Sequence, residues 1–578
     1  MRNAKAIKED KMIKRLLSCV MCVAMGLCLF GSCTGGGNAT SNTVKDVDYS
    51  KRVDTATYAP DGVVAYEGKQ TVSKLALNSK GEKYFEVDGK PFLYLGAQLR
   101  IDYFLQLDEF ELADLDLLFK LASTLNITCI QVPIAWSDVE IAYDQYSSAL
   151  VDKVMELCNK YDMKLEILWF GAYMCGYTVF DDGKTDDMRT GYVPNYVLKD
   201  SATYPLVGMT GSTDNAKRFG YNGWIGWQSS LMPNIDATIE RESKAIQKLM
   251  DFVYAYDSTH GGRHTLIGVQ VENEADMLAS SRSKEFNLEA TYNDAKHLMP
   301  ESVTVENMVD YLDAETIKHI SRIGEVVKAH DYGCITRTNI TLASSWDLRA
   351  ESLVATEGVD FVGIDPYVGN HENIKNYIRT LGRIDGNFAH IAENGGEFFN
   401  NDLMQLVAFA NRGGYSVFEV VCTSNENLKD WELRGVFQDL GSGRFTNKPQ
   451  TSALLEVNRL IRDAHSALAN HDGMAVINSE TTTGANTNVS VGAVDGFTYV
   501  CKTIERGVGF VVKHGEHVYF GSTKADEFTW TDDIYDSSKI EVGYFDSMGV
   551  WHTESTISAS DKTLTLAPTR CYRMKKVN

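Results

Sequence analysis

The chain has 578 residues, too many for one ordinary domain, and its 44% apolar and 23% charged content is that of a soluble globular protein. Its formal net charge is -22. A surface this acidic repels phosphate backbones and excludes nucleic acid as a partner, whereas an uncharged ligand is compatible with it.

The N-terminus is basic, with Arg2, Lys5, Lys8, Lys11, Lys14 and Arg15 ahead of an apolar stretch from Leu16 to Leu29. That stretch is too short and too poorly flanked for a membrane span. Small residues then lead to a cysteine in Leu29-Phe30-Gly31-Ser32-Cys33, which resembles a bacterial lipoprotein processing site. The resemblance implies a signal peptide over 1–32, lipid on Cys33, and attachment to a bacterial membrane on its periplasmic or surface face. Plain signal-peptidase cleavage near Ser32 is the alternative. Residues 33–55, rich in Gly, Ser, Thr and Asn, predict a flexible tether. A short β-segment is expected over 56–84.

Eight β-like runs follow: 92–98, 127–134, 164–170, 265–271, 334–340, 359–365, 388–393 and 415–421. They are nearly continuous in apolar residues, and amphipathic helical stretches such as 237–256 separate them. Strands buried on both faces and alternating with helices predict a closed (β/α)8 TIM barrel over 85–469, with a doubly wound open sheet as the alternative. The third-to-fourth connection is long, aromatic and Gly-rich over 171–230, and on a barrel it lies on the C-terminal face. After residue 470 short, turn-separated β-like runs predict an all-β sandwich to 578. Seven cysteines beyond the leader are dispersed, with no zinc spacing and no disulfide framework, so buried small side chains are expected.

The chemistry is concentrated at two strand ends. The fourth run ends in Gln270-Val271-Glu272-Asn273-Glu274, and the seventh in His390-Ile391-Ala392-Glu393-Asn394-Gly395-Gly396-Glu397. A retaining glycosidase needs two carboxyl groups roughly 5–5.5 Å apart, one to protonate the leaving oxygen and one to attack the anomeric carbon. Carboxylates at the C-terminal ends of two barrel strands, Glu274 and Glu393, meet that need. Glu397 is the alternative nucleophile. Glu272 points to the opposite face of its strand and reads as a structural ion-pair partner. Asp365 and Tyr367 after the sixth run are candidate substrate-binding groups or buried strand-end partners. Gln98, Arg100, Arg337 and Asn339 either bind hydroxyls or fix carboxylates. Trp169, Trp224, Trp227 and Trp431 are sugar platforms or core. No HExxH, P-loop or dinucleotide fingerprint occurs, and 180–187 is too irregular for a calcium loop; no metal or cofactor is expected.

Together these strings resemble the clan of barrel glycosidases with catalytic Glu residues on strands four and seven, and in particular family 35 and family 42-like β-galactosidases. QVENE resembles the family 35 acid/base motif, implying Glu274 as acid/base, and IAENGG resembles the clan's nucleophile strand, implying Glu393 as nucleophile. The resemblance implies Asn273 as partner of the sugar 2-hydroxyl, Trp136 and Glu140 near the cleft, and Tyr173 at the site. Tyr177 stands where family 35 has a sugar-binding Glu, implying altered rather than strict galactose recognition. The expected function is a retaining exo-glycoside hydrolase acting on a terminal β-linked sugar of an oligo- or polysaccharide. An endo-acting glycanase and a non-catalytic glycan-binding lipoprotein are the rivals.

Overall fold

A computed structural model describes residues 69–105, 110–174, 177–178, 189–190, 192–206, 230–275, 288–342, 345–422, 435–439, 445–448, 450–478, 488–490, 497–500, 506–530, 534–559 and 561–577. Eight parallel strands close into a barrel: β1 (Leu95–Gln98), β2 (Cys129–Ala135), β3 (Lys164–Phe170), β4 (Leu266–Val271), β5 (Ile335–Ile340), β6 (Phe361–Ile364), β7 (His390–Gly395) and β8 (Gly414–Phe418). Each is buried along nearly its whole length because helices cover the outer face. The closing seam pairs Tyr415 with Leu95 and Val417 with Ala97, which rules out an open sheet.

A helix follows every strand: α1 (Leu115–Ser123), α2 (Ala149–Lys160), α3 (Asp236–Thr259), α4 (Met308–Ala329), α5 (Trp346–Val354), α6 (His371–Leu381), α7 (Asn401–Ala410) and α8 (Thr451–Ala469). Helical periodicity decides which side faces the strands. In α4, Met308, Leu312, Thr316, Ile320, Ile323 and Val327 recur at intervals of three or four and form the buried face. Among the described residues, no helix is long and apolar enough to cross a membrane.

The N-terminal end of the barrel is plugged. An antiparallel hairpin, Ser73–Leu77 with Lys83–Val87, lies across it. Its Phe85 sits among Tyr94, Phe361 and Phe388 with ring centroids 5.5–6.2 Å apart in edge-on contact. Only the C-terminal end is left for a site.

The barrel interior is polar in the middle. Arg337 on β5 grips Glu166 on β3 with two bonds, 2.7 and 2.6 Å, and both side chains are about 1% exposed. Tyr94 and Gln131 add donors to Glu166 at 2.6 and 2.7 Å. Arg337 thus fixes a carboxylate of the barrel floor. Removing one partner strands a charge where no water can reach it. Arg337→Met is expected to cost about 3–5 kcal/mol of stability, read as a fall in the denaturation midpoint; an unchanged midpoint would refute that account.

Beyond α8 the chain forms antiparallel sheets. A six-stranded sheet has the order Gly473–Asn478, Val508–His514, His517–Ser522, Cys571–Lys576, Tyr535–Phe545, Trp551–Ile557. A four-stranded sheet comprises Asn488–Ser490, Phe497–Val500, Glu527–Trp530 and Thr563–Thr565. Phe520, Phe528, Trp530, Ile540 and Met574 form the core between them, so this region is a β-sandwich. The outer side of the larger sheet, through Val508, Phe510, Val512 and Tyr519, joins the barrel's own core across α8. Cys129, Cys158, Cys334, Cys422 and Cys571 are buried and unbridged, while Cys175 and Cys501 lie outside the described residues.

Candidate active site

The ends of β4 and β7 meet at the open face of the barrel. Carboxyl oxygens of Glu274, Asp365 and Glu393 all lie within 4.8 Å of one another. Glu393 belongs to β7 itself, and Glu274 sits three residues beyond the end of β4. The chain reaches Glu274 through a tight turn in which both Glu272 (φ 61) and Glu274 (φ 45) adopt the left-handed region. Tyr367, after β6, does the same at φ 44. Side chains with a Cβ avoid this region at a cost of order 1–3 kcal/mol, and such strain collects where function requires a particular direction.

Glu393 is held from three sides. Gln98 Nε2 donates to its Oε1 at 3.2 Å, and Asn339 Nδ2 approaches the same oxygen at 3.5 Å. The Tyr367 hydroxyl donates to Oε2. These three donors fix the orientation of the carboxylate. Asn339 is the junction of the site. Its amide nitrogen also donates to Asp365 Oδ2 at 2.7 Å and to Asn273 Oδ1 at 2.9 Å, and its oxygen accepts the Glu274 backbone N–H at 3.1 Å. Gln270 Nε2 adds a bond to Asn273 Oδ1 at 3.2 Å. With its oxygen turned inward by two donors, Asn273 directs its amide nitrogen the other way.

Several expectations are corrected by burial. Trp136 is 0% exposed and its indole N–H donates to Glu140 at 2.9 Å, so it offers no face to a sugar. Glu140 is equally buried and pairs with Arg241, fixing α3 beside the loop after β2. Asn339, also 0% exposed, fixes neighbouring carboxyl groups from within the wall. Arg100 is consumed by Asp102 at 2.9 and 2.6 Å and lies over the ring of Tyr103. Trp169 is core, its N–H given to Glu242 at 2.8 Å. Glu272 contacts Glu242, another carboxyl, where a cation was expected. The Glu397 carboxyl folds back over Gly395, where an added Cβ would lie 2.0 Å from it. Tyr173 is nearly buried on the loop after β3, and its N–H donates to Glu272 Oε1 at 3.2 Å. The Tyr177 backbone pairs with Thr190. The Tyr177 side chain, Trp224, Trp227, Trp431 and Cys33 lie outside the described residues.

A family model described as a domain of unknown function (DUF4978) matches residues 316–434, a stretch running from α4 past β8. No curated protein matches the sequence. Among solved structures, a β-glucuronidase from Bacteroides uniformis is similar at a TM-score of 0.40 and 11% identity, over 86% of this chain and 45% of that one. An endo-1,4-β-mannanase from Rhizomucor miehei aligns at 0.35 and 12%, over 58% and 88%. A β-glucosidase designated 1317 aligns at 0.39 and 14%, over 64% and 98%. The chain therefore spans less than half the length of the β-glucuronidase, with 45% of it covered. At these values the likeness carries no argument about chemistry, which rests on the geometry above.

Sequence reasoning passed over three groups. Gln270 orients Asn273. Asn394 ties β7 to the loop after β6 by accepting the Val368 N–H at 2.8 Å and donating to its carbonyl at 3.1 Å, which sets Tyr367. A buried cluster of Glu242, Glu272 and His319 lies beside the site, also with donor atoms within 4.8 Å. Gln270 and Asn394 adjoin the two carboxylate strings, so proximity was a usable signal. Glu242 and His319 lie in helices and gave none.

Proposed function

We propose that the protein is a retaining glycoside hydrolase that cleaves a terminal β-linked sugar from an oligo- or polysaccharide. The observation that carries this reading is the approach of Glu274 and Glu393 to within 4.8 Å at the ends of β4 and β7. Inverting enzymes keep their carboxyl groups roughly 6.5–9.5 Å apart to admit a water, and retaining ones about 5–5.5 Å. Glu393, oriented by Gln98 and Tyr367, attacks the anomeric carbon. Glu274 gives its proton to the departing oxygen and then takes one from the incoming water. The outward Asn273 amide suits the 2-hydroxyl, where a hydrogen bond strengthens as the ring approaches an oxocarbenium ion. The carboxylate of Asp365 is placed to accept from a further hydroxyl. This double displacement needs only two carboxyl groups and water, with no cofactor.

The resemblance to family 35 favours a β-galactoside-like substrate, with recognition altered by Tyr177. A panel of aryl β-galactoside, β-glucoside, β-mannoside, β-fucoside and α-L-arabinopyranoside tests both claims, and NMR of the first-formed sugar reads its anomer. Release of the β-anomer from a β-glycoside supports retention. Inversion, or binding without turnover across the panel, would refute the reading. Lipid on Cys33 would hold the enzyme at a bacterial membrane, and Cys33→Ser should move it to the soluble fraction.

A further inference from the structure

The strand segment that carries Glu393 is not fixed by its own ladder. β7 pairs with β6 through His390 and Ile391, short of Glu393. Its pairing with β8 shifts register between Ile391, opposite Tyr415, and Asn394, opposite Val417, so Ala392 and Glu393 lie in a bulge. A bulge re-aims side chains at the cost of regular pairing. Gly395 and Gly396 follow, and glycine gives up more conformational freedom on ordering than any other residue. The end of β7 therefore depends on side chains that reach it from elsewhere. Asn401, in the first turn of α7, is one of them. Its Nδ2 donates to the Gly395 carbonyl at 2.8 Å, and its Oδ1 accepts from the Tyr415 hydroxyl at 2.6 Å and from Asn394 Nδ2 at 3.4 Å.

The next residue leads out of the barrel. Asp402 is buried, and among the described residues its ion-pair partner is Arg506, on the stretch that enters the sandwich strand Val508–His514. The grip has two prongs, Nη1 to Oδ2 at 2.6 Å and Nη2 to Oδ1 at 2.7 Å. A planar guanidinium facing a carboxylate in this way fixes direction as well as distance. We propose that Arg506 is a positioning residue of the proposed catalytic site: by gripping Asp402 it holds the start of α7, and through Asn401 the bulged end of β7 that carries Glu393. The inference rests on the reading of Glu393 as the nucleophile. It makes the sandwich part of the catalytic unit rather than a detachable module. Without Arg506, Asp402 is a buried charge that has lost its counter-ion. It turns toward water and draws the adjacent Asn401 away from Gly395 and Tyr415.

The full chain is compared with Arg506→Met, Arg506→Lys, Asp402→Asn and the double variant Arg506→Met/Asp402→Asn, each well below its melting temperature. Arg573→Met, which removes a grip on Glu541 within the sandwich, is the control. On a glycoside with a poor leaving group, whose first step limits turnover, Arg506→Met should lower kcat about 10–10²-fold with little change in KM, as a displaced catalytic group does. Arg506→Lys keeps the charge, loses the second prong and should fall between native and Arg506→Met. The double variant should be no worse than Arg506→Met, because both changes break one contact. Hydrogen exchange of the amides over 396–404 should quicken about tenfold or more in Arg506→Met, the worth of a charge-assisted hydrogen bond, and stay native in Arg573→Met. A lowered melting temperature with native kcat would make Arg506 a tie between domains alone and overturn the proposal. Unchanged exchange over 396–404, or an equal loss of kcat in Arg573→Met, would overturn it as well. If Arg506→Met does not fold, Arg506→Lys and Asp402→Asn carry the same comparisons. A native enzyme inactive on every glycoside would instead refute the reading of Glu393, and the exchange comparison would still report on the clamp.

Discussion

Glu393→Ala is expected to lower turnover by about 10⁴-fold or more, the scale seen when one member of a catalytic unit is removed. In the proposed double displacement a bond between Glu393 and the anomeric carbon splits one difficult displacement into two easier ones. Without that carboxylate the first step has no nucleophile, and the donors of Gln98 and Tyr367 point at an empty position. No glycosyl-enzyme should be trapped by a slow substrate. Azide is small enough to take the vacated place, and it should restore turnover with an α-glycosyl azide as product, the mark of a single inversion. Mass spectrometry of the enzyme and NMR of the product read the two outcomes. Near-normal turnover in Glu393→Ala would transfer the role to Glu397.

Glu274→Ala should behave differently with different leaving groups. For a poor leaving group the departing oxygen needs a proton, and general acid catalysis contributes roughly 10²–10⁴-fold. For an activated aryl group the first step should be little affected, while the second slows because no base prepares the water. A glycosyl-enzyme should then accumulate as a burst. Azide needs no base and should attack that intermediate, giving a β-glycosyl azide. The two variants thus give opposite anomers with the same reagent. Equal losses across leaving groups would sink the assignment of Glu274.

Much of the architecture was readable because its cause is local. Eight apolar runs of strand length between helical periods leave few ways to bury both faces of every strand, and the barrel is one of them. The two carboxylate strings stood out because charges at the end of an apolar run need a reason. Individual roles were less legible. Trp136 looked like a cleft residue, and only packing shows its indole turned inward onto Glu140. Arg100 looked able to reach a ligand, yet Asp102 two residues on absorbs it. Glu272 was expected to meet a cation and meets a carboxyl from a helix thirty residues earlier.

By itself the sequence determined the period of each element, the succession of strand and helix, and the strand ends where carboxylates fall. These follow from side-chain volume, hydrophobicity and spacing along one stretch of chain. Tertiary structure alone decided which distant groups share a pocket. Gln98 meets Glu393 across 295 positions, Arg337 meets Glu166 across 171, and His319 meets Glu242 across 77. Barrel closure creates those contacts, and a buried polar atom's partner is set by whichever side chain the closed wall brings within about 3 Å.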